Sequence, residues 1–445
     1  MADVWSSSVK RGRDGAMVVG GVDVRSLAAE HGTPLYVVDE ADMRERAAAF
    51  RDHFSAAFGH KGAKIDVYYA SKAFLCSQVA RWMCEEGLRV DVASLGELEI
   101  ALRGGVSPGE IGLHGNNKSD AELRRALEVG VGRIIVDSVM EIEVLDALAR
   151  EMSVVAPVLL RVTTGVHAGG HEYIATSHED QKFGLSLATG AAYEALVACH
   201  DSANLKLLGI HTHIGSQILS LAAFQESAER MLGLRGAFAA DTGVELAEVD
   251  LGGGYAIAYT DADEALDTRE AAYGIADAVE VAVTKSGGTW PRFSIEPGRA
   301  IAGPAGMTLY TVGIVKQVRL EDGGGRQYVA VDGGMSDNMR TITYGADYTA
   351  TIASRLSGAE PALSRVVGKH CESGDVVVRD VELPHDVARG DLLAVPATGA
   401  YGRSMANNYN AALRPAVVSV RNGVSNILVR RDTIEDLLAM DVTSA

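Results

Sequence analysis

The sequence predicts an α/β chain: a (β/α)8 barrel of the TIM type over residues 38–305, and an all-β domain built from 306–445 together with the N-terminal segment 1–37. Three observations carry this. Eight short β-prone runs alternate with helical stretches, the spacing that parallel strands need for their crossovers. Charged residues or glycines follow every run, as at the carboxyl rim where such barrels keep their chemistry. After Tyr310 the pattern changes to strands joined by turns, with no long helix.

Taken in order, residues 14–37 read as short strands and turns that close on Leu35-Tyr36-Val37-Val38. The alanine-rich, charged run Asp39–Phe58 is helical. The eight strand candidates are Asp66–Ala70, Arg89–Val92, Ile111–Leu113, Arg133–Val136, Val158–Val162, Leu207–Ile210, Glu248–Leu251 and Arg292–Ile295. A helix-like segment, Phe74–Glu86, follows the first. Capping boxes at Ser94 with Glu97, Ser119 with Glu122, and Ser138 with Glu141 specify the next three helix starts. An open doubly wound sheet is the competing arrangement, but no GxGxxG turn follows the first strand. The β domain is expected to use Thr311–Val318, Gln327–Val331, Val366–Gly368, Val376–Val378, Leu392–Val395, Ala416–Val420 and Asn426–Arg430, with a terminal helix over Thr433–Met440.

Composition narrows the partners. Lys+Arg 41 against Asp+Glu 59 gives a net charge of −18, and so acidic a surface repels phosphate backbones and anionic lipid. Neither nucleic acid nor membrane is expected as a partner. No run approaches the roughly 18 apolar residues of a membrane span, and Met1–Arg13 lacks the apolar stretch of a secretory signal. Cys76, Cys84, Cys199 and Cys371 form no CxxC pair, which suits a reducing cytoplasm. His167, His171 and His178 lack the spacing of a ligand set, so no metal is expected.

The rim residues suggest the chemistry. They are Lys72, Asp91, His114 with Asn116, Asp137, Arg161, His211 with His213, Gly252-Gly253-Gly254, and Glu296-Pro297-Gly298-Arg299. Glycines after the seventh strand let backbone amides approach an anion, at the usual phosphate site of these barrels. Arg299 adds a charge-assisted contact, and Ser216 a hydroxyl. A phosphate site beside a rim lysine points to pyridoxal 5'-phosphate held on Lys72 as a Schiff base. Glu296 then suits the pyridine nitrogen and His213 the ring face, an arrangement that stabilises a carbanion at an amino acid Cα and favours decarboxylation.

The segments YYASKAF, VDVASLGELEIAL, HGNNK, DQKFG, HTHIGSQ, VDLGGGYAIAY, EPGRAIAG, VDGGMSDNMR, CESGD and GAYGRSMANNYN occur in this order. With them the chain resembles, over nearly its whole length, the diaminopimelate decarboxylases of the alanine-racemase-like group. The resemblance implies decarboxylation of meso-2,6-diaminopimelate to L-lysine and CO2, the last step of lysine biosynthesis. It implies that Lys72 carries the cofactor, that His213, Ser216, Gly253, Gly254, Glu296, Gly298, Arg299 and Tyr401 bind it, and that Arg299, Arg340, Tyr344, Glu372 and Tyr401 bind substrate. Cys371 would donate the proton, with Cys371 and Glu372 reaching the pocket from the other subunit of a homodimer. Decarboxylation of ornithine, arginine or carboxynorspermidine is the alternative on the same fold. Arg340 with Glu372 suits a substrate that carries a carboxylate and an ammonium at its far end, and so argues against it.

Overall fold

The computed structural model describes residues 4–166, 182–321 and 323–442. His167, His171, His178 and the Asp180-Gln181 pair of DQKFG lie outside the described residues. The chain divides into two compact units. One comprises Arg46–Ala256 and Ala265–Gly298; the other runs up to Glu45, takes in Ile257–Glu264 and resumes from Arg299. The division falls within the helix Glu40–His60.

The first unit is a closed parallel barrel. Its strands are β1 (Ile65–Ala70), β2 (Arg89–Val92), β3 (Ile111–Leu113), β4 (Arg133–Val136), β5 (Ala156–Thr163), β6 (Leu205–His211), β7 (Glu248–Asp250) and β8 (Arg292–Ile295). Each pairs in parallel with the next. β8 closes on β1 with Ile295 opposite Val67, so no strand edge is left open. The β-branched runs are buried on both faces, as parallel strands require.

Of the three expected capping boxes, only Ser119 with Glu122 is reciprocal. At Ser94 and Ser138 the hydroxyl caps as expected, but the glutamate accepts from the residue before: Ala93 N–H to Glu97 at 2.7 Å and Asp137 N–H to Glu141 at 2.9 Å. Those two serines have φ of −159° and −153°, against −70° at Ser119. The more extended backbone turns the serine's own N–H away and presents its predecessor's.

The second unit is β-rich. Its long strand Gly306–Arg319 pairs antiparallel with Gly325–Val331, Leu392–Val395 and Leu35–Asp39. The N-terminal strand Leu35–Asp39 therefore sits inside this sheet, between Gly306–Arg319 and Ala416–Arg421. Ile257 and Tyr259 join the core formed by Tyr310, Val329, Val377 and Leu393, which accounts for their placement in this unit. An element near the start of the chain departs from expectation. Val24–His31 is a helix, started by the Asp23 carboxylate accepting the Arg25 N–H at 2.8 Å.

Candidate active site

Lys72 stands on the turn that follows β1. Ser71 N–H donates to the carbonyl of Asp91 on β2, and Ala70 N–H to that of Pro297 beyond β8, so neighbouring strands fix the turn from both sides. Gly298 makes the second contact possible: a Cβ there would lie 2.8 Å from the Ala70 oxygen. Lys72 lines one cavity with Asp91, His114, Arg161, His211, His213 and Glu296.

The three glycines after β7 work by absence of bulk. A Cβ at Gly252 would sit 2.3 Å from the Thr212 oxygen, at Gly253 2.2 Å from the Glu296 oxygen, and at Gly254 2.5 Å from the Gly215 oxygen. The run packs the loops after β6, β7 and β8 backbone against backbone. It also aims a donor: Gly253 N–H meets His213 Nδ1 at 3.2 Å, which leaves the ring proton on Nε2. Burial, with Lys72 and Arg161 nearby, holds His213 well below the usual histidine range and keeps it neutral. Ser216 lies on the same loop, which Ile218 N–H ties to the Gly254 carbonyl at 2.8 Å.

Glu296, at the end of β8, is buried between two imidazoles. His211 Nε2 is 3.0 Å and His114 Nε2 3.2 Å from its Oε1. His114 Nε2 is also 3.2 Å from Asp91 Oδ1. Burial alone would raise the Glu296 carboxyl, but the two imidazoles override it and hold it well below the carboxylate range. Of the two, His114 carries the charge: burial pulls it down, yet Glu296 and Asp91 push it up to about 9. His211 is lowered by burial. Deeper in the barrel, Arg133 donates to Asp250 at 2.6 Å and Ser294 at 2.9 Å and lies 3.5 Å over the Tyr68 ring. Arg133 and Asp250 had a sequence signal, a charge at an inward position of a β run, but no expected role in the chemistry.

The second unit gathers Arg299, Arg340 and Tyr401. Arg340 is 6% exposed, donates to the Tyr348 hydroxyl at 2.6 Å and lies 4.6 Å over the Tyr259 ring. Arg299 donates to the Tyr259 hydroxyl and lies 4.5 Å over the Tyr401 ring. Tyr259 and Tyr348 meet edge to face at 5.2 Å. Tyr401 holds a left-handed φ of 58°, a conformation that costs a non-glycine residue about 1–3 kcal/mol. Tyr344 ends the short helix that begins at Arg340, one turn along the same face. Among the described residues no carboxylate pairs with Arg340, and its contacts are the Tyr348 hydroxyl and the Tyr259 and Tyr348 rings.

Cys371 and Glu372 sit elsewhere, on an exposed turn. Cys371 N–H donates to Asn410 Oδ1 at 3.1 Å, and Glu372 Oε1 accepts from Gly374 N–H at 3.2 Å. Cys371 is a free cysteine exposed to solvent.

A family model described as "Pyridoxal-dependent decarboxylase, pyridoxal binding domain" matches residues 40–303. Diaminopimelate decarboxylase of Mycobacterium tuberculosis is 48% identical over 444 residues, 99% of this chain and 98% of that one. The Bacillus subtilis diaminopimelate decarboxylase is 45% identical over 433 residues, 97% of each chain. Among solved structures, diaminopimelate decarboxylase from M. jannaschii in complex with L-lysine superposes with a TM-score of 0.89 at 30% identity, covering 100% of this chain and 99% of that one.

Proposed function

Because this chain belongs to the diaminopimelate decarboxylases, within the pyridoxal-dependent decarboxylases, we propose that it converts meso-2,6-diaminopimelate to L-lysine and CO2 with pyridoxal 5'-phosphate. The cavity around Lys72 suits the cofactor. It offers an amine, a carboxylate held ionised and a neutral imidazole, and the glycine loop after β7 donates to that imidazole. Lys72 is assigned the covalent link, Glu296 the ring nitrogen and His213 the ring face. Ser216, Gly253, Gly254, Gly298 and Arg299 are assigned the phosphate region, and Tyr401 both cofactor and substrate.

When bound, the cofactor supplies an electron sink for the pair left at Cα as CO2 departs. Lys72 would hold the cofactor through its ε-amine, at the point where the substrate's α-amine must enter. Glu296 maintains the protonated ring. The Cys371 thiol then delivers a proton from Sγ to Cα. Arg340, with Arg299 and Tyr344, takes the distal carboxylate, and Glu372 the distal ammonium.

The observation that carries the substrate assignment is Arg340, a buried guanidinium that pairs with no carboxylate among the described residues. Diaminopimelate brings one on its far end; ornithine does not. Two copies of the chain are proposed to share their sites, Cys371 and Glu372 being lent to the partner, which their exposed turn supports. The free cysteines support a cytoplasmic setting.

Two results test this reading. Holoenzyme given meso-diaminopimelate should release CO2 and L-lysine in equal amounts, and borohydride reduction of the resting enzyme should fix the cofactor to the peptide containing Lys72. A label on any other lysine would overturn the site assignment.

A further inference from the structure

We propose that His114 is a positioning residue: wedged between Asp91 and Glu296, it holds Glu296 as a carboxylate, so that the cofactor's ring nitrogen keeps its proton. The inference rests on Glu296 as the partner of that nitrogen.

Four strands deliver the groups. Asp91 comes from β2, His114 from the loop after β3, His211 from β6 and Glu296 from β8. Nε2 of His114 stands 3.2 Å from each carboxylate, and Asp91, His211 and Glu296 are all buried. Two carboxylates this close in a poorly solvated barrel cannot both stay ionised without a cation between them. The nearest alternative is Arg133 on β4, 3.5 Å from Asp91 and 3.9 Å from Glu296. It is already committed to Asp250 at 2.6 Å. Lys72 after β1, Glu97 after β2, Arg161 on β5 and His213 after β6 face the same cavity, where burial keeps His213 neutral. His211 lies 3.0 Å from Glu296, but burial lowers it; His114, 3.2 Å from both carboxylates and pushed up by them, is the cation that bridges the pair.

The contacts are close but not straight. Glu296 Oε1, His114 Nε2 and both Asp91 oxygens are buried without an aligned hydrogen bond. Glu296 thus keeps acceptor capacity for an N–H arriving from the cavity side. The electrostatics agree with the geometry: His114 is pushed up to about 9, and Asp91 to about 6 by burial and by Glu296.

The consequence concerns one proton. A carboxylate facing a pyridine nitrogen can hold it as an ionic pair, with the proton on nitrogen, or as a neutral pair, with the proton on oxygen. Poor solvation favours the neutral pair. A cation on the far side of the carboxylate lowers that oxygen's basicity and favours the ionic one. Without the charge on His114 the proton moves to Glu296 and the ring becomes a weaker sink.

The test uses His114→Gln, which retains an N–H donor near Nε2 but not the charge. In the holoenzyme kcat should fall on the order of tenfold or more, about the effect of one pK unit, with KM little changed. Parent and variant are then loaded with a cofactor analogue carrying carbon in place of the ring nitrogen. They should show the same residual rate, because His114 has no nitrogen left to act through. A tenfold gap that persists with the analogue would overturn the inference. Independently, NMR titration of the His114 imidazole in apoprotein should give a midpoint near 9, shifted down in Asp91→Asn. A midpoint at or below the ordinary histidine value, or none of this shift, would also overturn it. If His114→Gln does not fold, Asp91→Asn takes its place in the analogue experiment. Failure of the cofactor to link to Lys72 in the parent would instead sink the reading of the pocket itself.

Discussion

Replacing Arg340 by Met separates the substrate clamp from the rest of the machinery. Arg340 is 6% exposed, its guanidinium bonded to Tyr348 at 2.6 Å and stacked 4.6 Å over Tyr259. Its desolvation is already spent before substrate arrives, so the forked contact to a distal carboxylate is made at full strength. Removing one partner of such a buried pair costs about 3–5 kcal/mol, or roughly two to four powers of ten in kcat/KM. The assay compares meso-diaminopimelate with L-lysine, the same skeleton without the distal carboxylate. The fall should be confined to diaminopimelate. A trace rate on L-lysine should be unchanged within about threefold. Equal losses on both would refute the assignment, since Arg340 would then be serving the fold or the bond-breaking step. The variant without ligand should also melt no lower than the parent, because a buried cation with no carboxylate partner among the described residues is itself destabilising.

Three further outcomes follow from the structure. Lys72→Ala and Cys371→Ala should each be inactive alone, yet mixing and re-forming the dimers should restore up to about a quarter of parent activity, since half the dimers would hold one intact site; no recovery would place both residues in one subunit's site. Gly253→Ala should lower both the melting temperature and cofactor affinity, because its Cβ would sit 2.2 Å from the Glu296 carbonyl oxygen and backbone must move to admit it; thermal melts with and without cofactor check this. Asp337 is pushed up to about 7 by burial. The folded chain therefore keeps a proton that the unfolded chain has lost, and stability falls as pH rises from about 4 to about 7; denaturant titrations across that range should show the slope in the parent and lose it in Asp337→Asn.

Much of this was legible because period and punctuation agreed. Alternating β and helical runs, the serine caps and the charged rim all specified the same barrel, and Lys72, His213 and Glu296 line one cavity as expected. Capping detail was not legible, since whether Glu97 reaches its serine or the residue before depends on a φ that sequence does not encode. The helix Val24–His31 was hidden by the β-prone Met17–Val19 and short strands around it, although Asp23 and Gly32 mark its two ends. The triple glycine carried a phosphate signal in sequence, while the structure adds a second reason, three backbone approaches that no Cβ would allow. His114 and Asp91 were visible as rim residues, but their link to Glu296 is a contact among three strands and exists only once the barrel closes.

The central claim is most directly tested by offering the holoenzyme meso-diaminopimelate, ornithine and arginine in parallel and measuring CO2 with the amine products. The account predicts L-lysine from the first and little or no product from the others. Release of putrescine or agmatine at a comparable rate would contradict it, leaving barrel and cofactor in place and removing the distal clamp at Arg340 and Glu372.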